Sequence, residues 1–433
     1  MDSFTLGILV LLFMLAITGL GVPIAFSMMI AAFGGMTLLV GLPQAMAQFN
    51  FVIWDQGSNY LYITIPLFVF MGQMVLQAGL ATDFYDCVHK WFGRMPGGLA
   101  VAATVAGGGL GAVTGSSYAA VATLASMTTP EMKRYGYDMR LASGAIAASG
   151  TLAILIPPSV VLVIYGIWTE TSIGALFIAG IVPGAILLLA FVVVTIGWAL
   201  LDPKAAPPGP RFTWRERIVA LTKLLPVLIL FAAVLLTIYM GISSPSESAA
   251  IGAVGAVIIS IAMGRFSFRS IGKALQETGL LSGMIFAVAI SGILFSRFLV
   301  QTDVTNTMAN FLLNLDLHAY LIILILVVMY LILGMALDTL AMIILTLPFV
   351  LPIILGLGYD KVWFGVFLTI LIEVALITPP VGLNAFILNA SAPDVSLRTI
   401  FVGCIPFVLA ILVVIALLTL FPAIALWLPA TMR

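Results

Sequence analysis

Runs of about twenty apolar residues recur from one end of this chain to the other, as in "GALFIAGIVPGAILLLAFVVVTIGWAL" at 174–200. An uncharged stretch of that length crosses the roughly 30 Å hydrocarbon core of a bilayer as a helix. With 17 acidic and 17 basic residues in 433, the chain has too few charges to clothe a soluble core of its size. Alternating barrel strands are not seen. The fold class expected is therefore an all-α polytopic membrane protein. The net charge is zero and the basic residues form short scattered clusters, which argues against a nucleic-acid surface. Cys87 and Cys404 lack metal-ligand spacing. His89 and His318 fall in or beside polar connections and read as solvated loop residues. The first apolar segment, 4–21, has neither a basic leader nor a small-residue cleavage site, and it is expected to be a retained helix.

An internal repeat organises these spans. At an offset of 222 residues Pro23 meets Pro245, Pro130 meets Pro352, Gly136-Tyr137-Asp138 meets Gly358-Tyr359-Asp360, and Pro157-Pro158 meets Pro379-Pro380. "GIVP" at 180–183 meets "GCIP" at 403–406 after one inserted residue. Apolar positions match no better than chance, but punctuation residues do not fall repeatedly into one register by accident. Two halves are read, 1–200 and 219–433, joined by the proline-rich basic linker 201–218.

Charge then sets the topology. Residues 97–129 would make a straight helix of about 50 Å, longer than the hydrocarbon core, and their middle, "GGGLGAVTGSS", favours a turn. This segment is read as a re-entrant hairpin, and 319–354, centred on "GMALDT", likewise. The remaining spans are placed near 5–20, 23–41, 59–81, 141–166, 173–200, 219–241, 246–264, 275–298, 363–390 and 400–427. Fourteen of the seventeen basic residues then share one side, and only Arg297, Lys361 and Arg433 lie opposite. By the positive-inside rule the crowded side and the linker are cytoplasmic, the N-terminus is outside, and the halves are inverted. The seven tryptophans fall at or near span ends, where an indole suits the interface.

Paired hairpins and broken helices in inverted repeats point to a secondary transporter with its site near the midplane. Proline removes a backbone donor and clashes with the preceding turn, so "LAILIPPS" and "ALITPPVGLN" should break their helices at depth. Freed carbonyls suit a hard cation such as sodium, and exposed amide ends suit an anion. At the repeat offset Ser116 pairs with Asp338 and Ser117 with Thr339, so each half can combine a hairpin tip with a broken helix. An acid at membrane depth is a functional candidate by default. Asp338 is read as an ion-site residue, against the alternative of a helix cap. Glu373 is left open between function and a structural hydrogen bond. An intramembrane enzyme is not expected, because no paired acids, histidine cluster or activated nucleophile occur in the spans.

At "TGSSYAAVATLASMTTPEMKRYGYD", "ASGTLAILIPPS", "SPSESAAIGA", "GMALDTLAMIILTLPFVLPI" and "LITPPVGLNAF" the chain resembles the large membrane subunit of tripartite ATP-independent periplasmic (TRAP) transporters, within the ion transporter superfamily. The resemblance runs the whole length. It implies a sodium-driven elevator in a bacterial inner membrane, with Na+ as coupling ion and no organic cofactor. It also implies a separate small four-helix membrane subunit and a periplasmic binding protein. That protein delivers an organic acid such as a dicarboxylate, sialic acid or sugar acid. Carried onto this sequence, Ser116, Ser117, Gly150, Thr151 and Pro157 would line one ion site, and Asp338, Thr339, Thr378 and Pro379 the other. Substrate contacts would come from Ser116, Ser117, Pro158, Thr339, Pro380 and Asn384. A stand-alone sodium/dicarboxylate symporter is the alternative. No P-loop occurs, and no arginine stands at a predicted tip to clamp a carboxylate.

Overall fold

The computed structural model describes residues 2–314, 317–335 and 337–432. Arg433, one of the three basic residues assigned to the sparser side, lies outside them. Every regular element among the described residues is helical. Eight helical stretches among the described residues are long and apolar enough to cross a membrane.

The first half opens with α1 (Ser3–Gly19) and α2 (Ile24–Val40), followed by α3 (Leu42–Ser58), α4 (Thr64–Gln77) and α5 (Leu80–Phe92). Next come the hairpin arms α6 (Gly98–Thr114) and α7 (Ser117–Arg134), the broken pair α8 (Met139–Leu155) and α9 (Val160–Thr169), and the long α10 (Ile173–Leu201). The second half has α11 (Trp214–Tyr239), α12 (Pro245–Ala262), the 34-residue α13 (Phe268–Gln301) and α14 (Val304–Leu313). The stretch read as its hairpin carries α15 (Ala319–Leu333) and α16 (Thr339–Gly356). Its broken pair is α17 (Lys361–Ala375) and α18 (Leu383–Ser391), followed by α19 (Leu397–Leu420) and the single turn α20 (Ala423–Leu426).

Both ends of α7 map onto the ends of α16 at the 222-residue offset, and cis peptide bonds join Pro157 to Pro158 and Pro379 to Pro380. The triplets at 136–138 and 358–360 do the same work twice. Gly136 (φ 74°) and Gly358 (φ 83°) adopt the left-handed conformation that closes α7 and α16, which a side chain would oppose. Asp138 and Asp360 then cap the next helices, accepting from the Arg140 amide at 2.8 Å and the Val362 amide at 2.6 Å.

Burial follows the logic of a protein in lipid. Every residue of α8 from Leu141 to Leu155 is buried, so this helix is packed on all sides by protein. By contrast α10, α11 and α19 present aliphatic side chains outward, among them Leu189, Ile229 and Val413. Their hydroxyls are quenched internally. Thr195 and Thr419 each donate to the carbonyl four residues earlier at 2.8 Å, which satisfies a polar group where water is absent. Helices α8 and α19 meet backbone to backbone, because a Cβ on Gly144 would run into the Gly403 carbonyl.

The breaks expected at the paired prolines are present, separating α8 from α9 and α17 from α18. Other expectations are corrected. Short helices α3, α5 and α14 occupy stretches read as connections. The linker proper is 202–213, because Thr213 and Glu216 form a reciprocal capping box that starts α11 at Trp214. His89 is not a solvated loop residue. It is buried on α5, with Nδ1 3.4 Å from a Glu131 carboxylate oxygen and the Phe212 ring of the linker edge-on. Its helix is amphipathic, which a search for long apolar runs passes over. His318 does behave as expected, exposed at the N-cap of α15. Trp363 is fully buried and stacks between Tyr359 and Phe367 while its indole N–H donates to the Leu418 carbonyl at 2.9 Å. It is a core residue although it begins a helix.

Candidate functional site

The first hairpin turns at Gly115, held at φ 59° in the left-handed region as the C-cap of α6. Ser116 then caps α7, accepting from the Ala119 amide at 3.4 Å. Thr114 steadies the turn by donating to the Ser116 carbonyl at 3.2 Å. The tip lies against the break between α8 and α9: a Cβ on Gly115 would sit 3.7 Å from the Pro158 carbonyl oxygen. Gly150 is where α8 lets the tip approach. A Cβ there would stand 3.1 Å from the Ser117 carbonyl oxygen and 3.2 Å from its hydroxyl. Ser117 is buried, and so is Thr151, whose hydroxyl is spent on the Ala148 carbonyl at 2.7 Å.

In the second half Asp338 caps α16, its Oδ1 accepting from the Ala341 amide at 2.7 Å. The capping role weighed against an ion role is therefore present, and it occupies one carboxylate oxygen. Thr378 returns its hydroxyl to the Val374 carbonyl at 2.6 Å, just before the Pro379-Pro380 break. After the break Gly382 adopts φ 53° and α18 begins.

Tertiary packing brings the two tips together. A cavity of about 100 Å³ is lined by Ser116 and Ser117 from one tip and Thr339 from the other, with Tyr118 between them. A second cavity, of about 500 Å³, is lined by Tyr118, Asp338 and residues of α18. The α18 helix also crosses between halves: fully buried Asn384 donates to Ser117 Oγ at 2.7 Å and to the Ala147 carbonyl at 3.4 Å. Gly150, Thr151, Pro157, Pro158, Thr378, Pro379, Pro380 and Asn384 line neither cavity.

Among the described residues, several buried polar atoms here have no hydrogen-bond partner: the Tyr118 hydroxyl, Thr339 Oγ1, Asn384 Oδ1 and both oxygens of Glu373. The Tyr118 phenol stands beside Thr339, Asp338 and Glu373, and Glu373 lies beside Ser117. Each polar atom stranded this way costs about 1–3 kcal/mol. A cluster of them is therefore a place where a ligand would be held. Oxygens predominate, which suits a hard cation or the hydroxyls of a polar solute. No group of three or more His, Cys, Asp or Glu side chains occurs among the described residues, so a transition-metal centre has no ligands here.

Tyr118 and the bridging role of Asn384 were not legible beforehand. Tyr118 follows Ser117 directly in "TGSSYA", yet one aromatic in an apolar helix gives no signal of its own. A cleft of about 860 Å³ lies elsewhere, among α3, the end of α9, the start of α12 and α13, and it contains none of the tip residues.

Residues 9–424 match the profile of the family described as "Tripartite ATP-independent periplasmic transporter, DctM component". The chain is 33% identical to the C4-dicarboxylate TRAP transporter large permease protein DctM of Pseudomonas aeruginosa, over 92% of each chain. It is 30% identical to the ectoine TRAP transporter large permease protein TeaC of Halomonas elongata, over 84% of this chain and 85% of that one. The fold is similar to that of the YdaH transporter of Alcanivorax borkumensis, with a TM-score of 0.63, 15% identity and 90% of each chain covered.

Proposed function

The chain belongs to the DctM component family of tripartite ATP-independent periplasmic transporters, matched over residues 9–424, and on that premise we propose that it couples sodium entering the cell to uptake of an organic acid. It is a multi-pass membrane permease, not an enzyme. Permeases of this family work with a substrate-binding protein and a small membrane subunit. Its proposed partners are a small four-helix membrane subunit and a binding protein that delivers the cargo to the periplasmic face of the inner membrane. The N-terminus is periplasmic and the linker cytoplasmic.

The observation that carries this reading is the convergence of the two tips on one set of unpartnered buried oxygens. Sodium stripped of water needs several oxygens at once, and here most are neutral, with Asp338 the one fixed charge beside them. Asp338 Oδ2, Thr339, Ser117 and Ser116 supply side-chain oxygens, while Gly150, Thr151, Pro157, Thr378 and Pro379 mark where backbone carbonyls are set free. The cargo sits between the tips against Ser116, Ser117, Thr339 and Asn384, with Pro158 and Pro380 shaping its walls. Its class follows the relatives, whose names include C4-dicarboxylate and ectoine carriers, and takes in sialic and sugar acids.

Two inverted repeats, 1–200 and 219–433, divide the work. The hairpins and broken pairs move as a unit against the outer spans, carrying the site across the membrane as an elevator. The test is uptake into proteoliposomes containing the small subunit, with cargo-loaded binding protein outside and sodium titrated at fixed membrane potential. Uptake should follow sodium, and potassium should not replace it. Uptake indifferent to sodium refutes the coupling, and full uptake without the binding protein favours the stand-alone symporter.

A further inference from the structure

The 860 Å³ cleft that holds none of the tip residues is lined by one cation, Arg297 of α13. Two described basic residues, Arg297 and Lys361, lie on the side assigned to the outside, and their situations differ. Lys361 is engaged, donating to the Thr169 carbonyl at 3.1 Å. Arg297 packs against the Phe51 ring, 5.2 Å from its centroid, and no described carboxylate is within ion-pair distance of it. Asp55 and Glu170 also line the cleft but are exposed; Asp55 accepts from the Gln56 side chain at 2.7 Å.

A guanidinium has only donors and a permanent charge, so what completes it must be an acceptor, and an anion by preference. Its neighbours suit such a ligand. Ser296, Thr171 and Ser172 bring hydroxyls to the same cleft, and Trp168 forms part of its wall. Position matters as well. The cleft is bounded on one side by α13 and on the other by the turn between α9 and α10, which follows the first broken helix. Trp168 reaches across that boundary: a Cβ on Gly292 would lie 2.9 Å from its ring. Arg297 thus faces the flank of the part proposed to move.

We propose that Arg297 is a capture site for the carboxylate group of an organic acid arriving at the outer face, ahead of the hairpin tips. This rests on the orientation and cargo class proposed above. It places charge recognition where the tips have none, since neither tip offers a cation. Flat guanidinium geometry accepts both oxygens of one carboxylate, so the site takes the acid group and leaves the rest of the molecule to the hydroxyls.

The experiment uses the complete complex in sealed vesicles, with Cys87→Ser, Cys404→Ser and a reporter Ser296→Cys beside the guanidinium. Labelling rates are compared for two impermeant methanethiosulfonates of similar size, one carrying a sulfonate and one a trimethylammonium group, at low ionic strength to limit screening. The anionic reagent should be favoured, and Arg297→Gln should lower the anionic-to-cationic ratio by about tenfold. Arg297→Lys should restore most of it. In the Arg297 protein, acetate should slow sulfonate labelling more than chloride does at equal ionic strength, a measurement independent of whether the glutamine variant folds. An unchanged ratio in Arg297→Gln, or chloride protecting as well as acetate, overturns the capture site and leaves the transport reading standing. Labelling only from the inside overturns both.

Discussion

The hydrogen bond from Asn384 to Ser117 joins residues 267 apart, one in each half, and its energetic coupling can be measured. Asn384→Ala removes the 2.7 Å bond to Ser117 Oγ and the weaker 3.4 Å bond to the Ala147 carbonyl, and leaves a small void in a site with no solvent exposure. A lost buried hydrogen bond plus a partly relaxed void costs about 2–3 kcal/mol. Ser117→Ala leaves the amide only its weaker 3.4 Å bond to the Ala147 carbonyl, at about 1–2 kcal/mol. Side-chain hydrogen bonds within membranes couple by about 0.6 kcal/mol on average and about 1.7 at most. The short distance and full burial of both partners put this pair in the upper part of that range. The double variant should therefore lose about 1 kcal/mol less than the sum of the two single losses. The assay is thermal melting of the purified complex without sodium for the parent, both singles and the double. At this chain length a 1 kcal/mol coupling corresponds to roughly 1–2 °C in Tm. Additivity within about 0.3 kcal/mol would mean that the bond contributes nothing and that α18 is held by packing alone.

Asp338→Asn, and separately Ser117→Ala, should raise the sodium concentration for half-maximal uptake by roughly tenfold to a hundredfold while surface expression stays normal; an unshifted sodium curve in the double variant removes both from the ion site. Gly144→Ala should lower Tm, because its Cβ meets the Gly403 backbone and overpacking costs about 1–3 kcal/mol, whereas Gly34→Ala, with nothing within 4 Å, should not. With Cys87→Ser and Cys404→Ser in place, Ile242→Cys should label from outside and Pro208→Cys only from inside; the reverse pattern inverts the topology. His89, on a helix outside the eight candidate spans, has its pKa lowered by burial, which outweighs the pull of Glu131 and Asp86, while Lys90 adds to the lowering. The unfolded chain then takes up the proton first, so the contribution of His89 to stability is complete above its ordinary pKa of about 6.5 and lost as pH falls below it. His89→Gln should flatten that acid limb of the Tm profile, and an identical limb in the variant assigns it to other groups.

The sequence by itself determined the solvent, the period and the points where helices stop, since each is a local property. Uncharged runs specify lipid, glycine sets the left-handed closures at 136 and 358, aspartate supplies the caps at 138 and 360, and paired prolines break α8 from α9 and α17 from α18. These signals need no knowledge of what lies across the bundle. Tertiary structure alone decided what does lie there. It buried His89 under the linker, because an amphipathic helix of 13 residues turns its polar partner inward where a searcher for apolar runs sees a loop. It made Trp363 a core residue although its position in the sequence suits an interface. It set Tyr118 between the tips, carried Asn384 across to Ser117 and left Glu373 buried without a partner among the described residues. In a membrane protein most faces are apolar, so hydrophobic pattern says little about which helix face meets which; small residues such as Gly144, Gly150 and Gly403 decide it by how closely backbones can approach.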